Sequence, residues 1–241
     1  MENSQTLQDK ATAAVKEQEE HWVAVSDLMG GLMMVFLLVS VVYMVMVEIE
    51  RNKIREIALL YDKLQTQIYQ DLYDEFRDDL PRWGAQLNED LSLSFYRTEI
   101  LFDKGEREVK DEFRAILADF FPRYVRIITS DTYRQDIAEV RIEGHTSTGW
   151  GEYTSEADAY INNMALSQAR TRSALGYLLA LPEVRHEKDW LKSKLTANGL
   201  SSSKPILLKT GEEDPELSRR VEIRLRTDAE SRIAAIIDKI R

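Results

Sequence analysis

Two groups of residues in this sequence have types and spacings suited to chemistry. The first is a lone carboxylate. From Trp22 to Val47 the chain reads WVAVSDLMGGLMMVFLLVSVVYMVMV, and Asp27 is the single charged residue in that run. Placing an ionised side chain at the middle of a bilayer helix costs on the order of 2.5–3.5 kcal/mol on insertion scales, so such residues usually face a partner or a water-filled path and mark ion pathways. The second group is Asn163, Leu166 and Arg170, whose i, i+3, i+7 spacing places them on one face of a helix, starting from its first turn. The Arg170 guanidinium is a rigid fork matched to a carboxylate. Amides at a helix N-terminus near Asn163 add further anion-binding donors.

Composition removes several other chemistries. The formal net charge of -10 argues against a nucleic-acid binder, which normally shows a basic face. The absence of cysteine excludes disulfides, thiol catalysis and Cys-based zinc sites, and fits an oxidising compartment. There are three scattered histidines, with no Gly-rich phosphate loop and no nucleophile motif, so neither an enzyme nor a cofactor is expected. Met29, Met33, Met34, Met44 and Met46 read as packing residues rather than metal ligands.

The elements that position these groups follow from periodicity. Roughly 20 apolar residues cross a bilayer as a helix, and residues 22–47 are long enough. The polar, mixed-charge segment 1–21 before them lacks the basic start and small-residue cleavage site of a signal peptide, so the helix is a retained anchor. Leu28 to Val47 also suffices to span, which would leave Asp27 an interfacial cap beside Ser26; Trp22 as an interfacial anchor and the apolar Val23-Ala24-Val25 favour the deeper placement. Gly30 and Gly31 let membrane helices approach closely. Residues 48–90 form a helical linker, expected to end at Pro81, with Leu60, Leu64, Ile68, Leu72, Phe76 and Leu80 along one stripe. That stripe packs on its own domain or pairs with a second copy, and dimerisation is expected.

Residues 91–241 read as an α+β domain, a mixed sheet with helices packed on one side. LSLSFY, EILFD, DIAEVRIEGH and RRVEIRLR are the expected strands, and VKDEFRAILADFF (ended by Pro122), MALSQARTRSALGYLLAL and DAESRIAAIIDKI the expected helices. Ser147 to Tyr160 is an unusual loop rich in glycine and aromatic residues.

Gly144-His145-Thr146, then Asn163-x-x-Leu166-Ser167-x-x-Arg170, then Arg219-Arg220-Val221-Glu222-Ile223 resemble, in order, the OmpA-like peptidoglycan-binding family. The resemblance covers roughly the last 140 residues. It implies that Arg170 clamps a carboxylate of the diaminopimelate stem, that Asn163 shapes the pocket, and that Leu166 packs. It also implies a structural turn role for His145. Most members carry Asp after Gly-His-Thr to pair with the ligand's ammonium group, and here Ser147 stands there. With that departure the resemblance implies a grip that is weaker, altered in specificity, or supplied partly by Asp158, Glu156 or Trp150 from the loop.

SDLMGGLMMVFLLV resembles the membrane helix of the B subunits of ion-driven bacterial stators such as MotB, where the Asp before Leu-Met carries the ion; this maps onto Asp27. The form Trp22-Val-Ala-Val-Ser26-Asp27-Leu28-Met29 followed by Gly30-Gly31 is similar to the ZorB subunits of Zorya anti-phage systems. This resemblance implies a ring of multi-spanning MotA- or ZorA-like partner subunits around two copies of this chain. It further implies an inner-membrane protein with a cytoplasmic N-terminus and a periplasmic domain bound to peptidoglycan. Arg51, Lys53, Arg55 and Lys63 after the helix point the other way by the positive-inside rule. A flagellar stator subunit, or a passive tether between membrane and wall, are the alternatives.

Overall fold

The computed structural model describes residues 2–103, 105–151 and 154–228. The chain divides into two compact units, Met1–Ala58 and Leu59–Arg241. Helix α1 (Glu2–Phe76) supplies the first unit. It is long and apolar enough to cross a membrane. Leu28, Met34 and Phe36 are each about seven-tenths exposed, and Leu32, Met33 and Leu38 nearly as much. So large a contiguous apolar surface needs an apolar surrounding.

The second unit begins within the segment expected as linker. Ile68, Leu72 and Phe76 of α1 are buried in its core, whereas Leu59 and Leu60 are exposed. After α2 (Leu80–Trp83) come β1 (Ala85–Leu87), β2 (Ser92–Phe95), α3 (Thr98–Leu101), α4 (Asp111–Ile128), β3 (Ile137–His145) and α5 (Glu156–Ala180). A 3-10 turn, α6 (Lys188–Lys194), β4 (Leu195–Gly199), α7 (Pro215–Ser218) and β5 (Arg220–Thr227) complete it. The sheet runs β1-β2-β5-β3-β4, antiparallel except for the β3–β4 pair. Its apolar face carries Leu93 and Phe95, Val140 and Ile142, and Val221, Ile223 and Leu225. The core is completed by Phe113, Leu117, Phe120 and Tyr124 of α4 and Ala174 and Leu178 of α5. Arg123 ties α4 to the end of α1, bonding Glu75 and Asp79 at 2.8 Å each and lying over the Phe76 ring.

Three expectations need correction. The linker helix ends at Phe76, ahead of Pro81, which instead lies in the first turn of α2. EILFD is not a strand: Thr98–Leu101 forms one helical turn. Ile100, Leu101 and Phe102 all pack on the core in succession, which a strand alternating between two faces cannot do. Pro122 does not end its helix but sits inside α4. An internal proline costs about 3 kcal/mol, and burial of Tyr124, Val125 and Ile128 beyond it, at about 1.5–3 kcal/mol per large side chain, outweighs that cost. The β1 and β4 strands were not foreseen. The helix expected over DAESRIAAIIDKI lies outside the described residues from position 229 onward.

Candidate functional sites

Helix α5 positions the second chemical group. Its N-cap is Ser155, whose hydroxyl accepts from the Asp158 amide at 3.2 Å and donates to the Asp158 carboxylate at 2.6 Å. The helix therefore starts two turns earlier than expected. Asn163 lies in its interior, so the helix-terminal amides expected beside it are at residues 156–158 instead. Two glycines set α5 flush against the sheet. A Cβ on Gly144 would fall 2.7 Å from the Thr171 methyl, and one on Gly199 would fall 2.2 Å from the Gln168 backbone nitrogen. Only glycine permits that approach, and the approach fixes the height of Asn163, Leu166 and Arg170 above β3 and β4.

Ser147, Asn163, Leu166 and Arg170 all line one open cleft of about 970 Å³. Arg170 stacks on Phe102, with its guanidinium carbon 4.8 Å from the ring centroid. Its Nε donates to the Glu106 carbonyl at 2.9 Å and an Nη to the Asp103 carbonyl at 3.1 Å. These bonds use two of the fork's five donors. No carboxylate among the described residues pairs with Arg170, so it is not an ordinary surface ion pair. Burial, and then the neighbouring charge of Arg219, hold its pKa below the usual arginine value. Its guanidinium is partly stripped of water and held in place by two carbonyls.

Asn163 has a different part. It is buried, and its Nδ2 donates to the carbonyls of Ser147 at 3.1 Å and Gly149 at 3.4 Å. It shapes the cleft by fixing the loop rather than by presenting its amide. Glu156 and Asp158 belong to the first turn of α5, outside the cleft lining. The carboxylates that do line the cleft are Asp103, paired with Lys110 at 3.1 Å, and Glu216, paired with Arg219 at 3.5 Å. Both were missed by sequence reasoning because each arrives from a segment remote from α5 along the chain, Asp103 after α3 and Glu216 in α7.

In the first unit, Asp27 is exposed on the surface of α1 within the apolar run. Nothing lies within 4 Å of the positions a Cβ would take at Gly30 and Gly31, which leaves a smooth strip on that helix.

No family model matches the chain. It is 49% identical over 226 residues to the Zorya protein ZorB of Escherichia coli, covering 93% of this chain and 95% of that relative. This chain belongs to the ZorB family. Among solved structures, this ZorB-family chain is similar to a MotB-like protein from Desulfovibrio vulgaris (TM-score 0.48, 23% identity, covering 69% of this chain and 96% of that one). It is also similar to the periplasmic domain of Helicobacter pylori MotB, residues 78–256 (TM-score 0.41, 17% identity, covering 61% and 84%).

The polar face of the ZorB-family sheet holds a charge network that strand alternation alone would have left in solvent. Glu143 and Glu222 stand opposite each other on β3 and β5, both nearly fully buried. Arg220 reaches Glu222 at 2.6 Å, Arg224 reaches it at 3.0 Å, and Arg141 reaches Glu143 at 3.4 Å. His145 Nε2 lies 3.8 Å from a carboxylate oxygen of each. These three residues bring potential ligand atoms within 4.8 Å of one another. Arg141 also pairs with Glu139 and Arg224 with Asp90, so the arginines are shared among four carboxylates, and each buried glutamate already accepts from a guanidinium without an ion. Arg224 on β5 reaches Glu143 on β3 at 3.5 Å and so links the two strands, while His145 is buried between the glutamates with no hydrogen-bond partner among the described residues.

That network makes the fold acid-sensitive. Burial, and then the charge of Arg220, push the His145 pKa down to about 4, against about 6.5 when unfolded. The folded state therefore binds fewer protons than the unfolded one between those values. Stability is fully present above about pH 6.5 and falls as the pH drops toward about 4, by on the order of 3 kcal/mol. Urea denaturation of the detergent-solubilised chain should show a lower midpoint at pH 5 than at pH 7, and His145→Gln should flatten that difference. Identical wild-type midpoints at the two pH values would contradict this assignment.

Proposed function

We propose that this chain is the ion-conducting and wall-anchoring subunit of a proton-driven membrane motor used in anti-phage defence. The observation that carries the reading is the 49% identity to a ZorB protein over 93% of the chain, which spans both the apolar helix and the α+β unit. A chain related over both units inherits the same division of labour. Asp27 is the ion carrier, loaded and unloaded as a surrounding ring of ZorA-like multi-spanning subunits turns past it. Gly30 and Gly31, bare on α1, allow a second copy to pack close beside the carboxylate.

The α+β unit holds the assembly to the cell wall. Its cleft offers a desolvated arginine for the stem-peptide carboxylate and two flanking carboxylates for an ammonium group. Asp103 and Glu216 stand in for the acidic residue that Ser147 replaces. This arrangement requires a cytoplasmic N-terminus, α1 crossing the inner membrane, and a periplasmic second unit, against the charge count around the helix. No step calls for a catalytic residue, and none is assigned.

The reading is tested by phage plating on cells carrying the gene in its native operon. Protection relative to cells with an empty vector is expected. Full plating with the protein demonstrably in the membrane would contradict the defence role and direct attention to motility, where a stator subunit does the same physics.

A further inference from the structure

Capture of a carboxylate by Arg170 leaves one built feature of the cleft unused. The loop between β3 and α5 is pinned at three points. Asn163 holds the carbonyls of Ser147 and Gly149, and the Thr148 amide and hydroxyl both donate to the Glu213 carboxylate. The Thr154 hydroxyl donates to the Trp150 carbonyl at 2.9 Å. Gly151 makes the turn with φ +85. This fixed backbone presents Trp150 to the cleft between two glycines, which have no side chains to cover the indole; the residue is 36% exposed.

Size and spacing indicate what the indole meets. The cleft's roughly 970 Å³ is at the upper end for ligand sites and far exceeds the needs of one amino acid. Asn163, which anchors the Trp150 loop, and Arg170 are seven residues apart on α5, about 10 Å along its axis. In peptidoglycan the diamino acid is the third residue of a peptide attached to a sugar. Three extended residues span about 10 Å.

We propose that Trp150 is a platform for a sugar ring, so that the cleft takes a muramyl peptide with its pyranose on the indole and its diamino acid at Arg170. The apolar C–H face of a pyranose lies well on the electron-rich face of an indole. This proposal rests on the wall-binding reading above and deepens it: the protein selects stem peptide still attached to the glycan over free peptide.

Calorimetry on the full-length chain in detergent micelles decides the matter with two probes. One is the muramyl tripeptide ending in meso-diaminopimelate, and the other is the same tripeptide without the sugar. Wild type should bind the sugar-bearing probe roughly tenfold more tightly, equivalent to about 1.4 kcal/mol. Trp150→Ala should bring the two affinities together, and Trp150→Phe should keep most of the difference. Arg170→Ala should weaken both probes alike. Equal wild-type affinities, or a Trp150→Ala variant that weakens both probes equally, overturn the sugar platform and leave wall binding intact. Binding of neither probe by wild type overturns the wall-binding reading and the platform with it.

Discussion

Replacing Asp27 with asparagine is expected to stop ion flow through the assembled complex. Asparagine keeps the size and hydrogen-bonding reach of aspartate but can neither take up nor release a proton at accessible pH. It also removes the cost of placing a carboxylate in the bilayer, on the order of 2.5–3.5 kcal/mol, so the variant helix inserts more readily than wild type. Loss of flux therefore cannot be blamed on loss of the span. Asp27→Glu keeps the carboxylate on a side chain one methylene longer and should retain part of the flux. Proton uptake by vesicles holding this chain with its multi-spanning partner is the measurement, and Asp27→Asn should fall to the protein-free background. Wild-type flux from that variant would leave Asp27 as an interfacial cap.

The second large effect belongs to Arg170. Removing one side of a desolvated charge pair typically costs about 2–5 kcal/mol, a loss of roughly 30-fold or more in affinity. Arg170→Ala should accordingly fail to co-sediment with purified sacculi. Arg170→Lys should not restore binding, because an ammonium is a point charge. It cannot hold the Glu106 and Asp103 carbonyls and still present a fork to the ligand. Arg170 also covers Phe102 and holds two backbone carbonyls, so the thermal midpoint of both variants should fall modestly, and sedimentation is compared at a temperature where both are folded. Wild-type retention by Arg170→Ala would remove the clamp from the cleft.

What was legible in the sequence divides along physical lines. The spacing of Asn163, Leu166 and Arg170 was readable because helical periodicity is local, and the Gly-His-Thr turn placed Ser147 beside them. The other cleft residues were not readable. Phe102 and Asp103 come from the 96–110 region, Glu216 from α7, and Arg219 from the residue that leads into β5 at the centre of the sheet. No local pattern marks such meetings. The start of α5 was misjudged because Ser155-Glu156-Ala157-Asp158 is a capping sequence hidden in a loop-like composition. Pro122 misled for the opposite reason: a strong local stop signal was overridden by burial on both sides of it. β4, reading LTANG, is five residues long and holds Ala, Asn and Gly, which are poor strand formers, so its pairing with β3 had only a weak local signal. The burial of Glu143 and Glu222 had no mark in the sequence, because the arginines that hold them, Arg141 on β3 and Arg220 and Arg224 on β5, meet them only once the strands pair.

The most direct test of the proposed role is phage plating on cells carrying the native operon with wild-type chain or with Asp27→Asn, at matched levels of membrane-inserted protein. Protection by wild type and plating on Asp27→Asn cells equal to that on cells without the operon is the expected result. Undiminished protection by Asp27→Asn would contradict it, leaving a chain that ties membrane to wall without carrying ions.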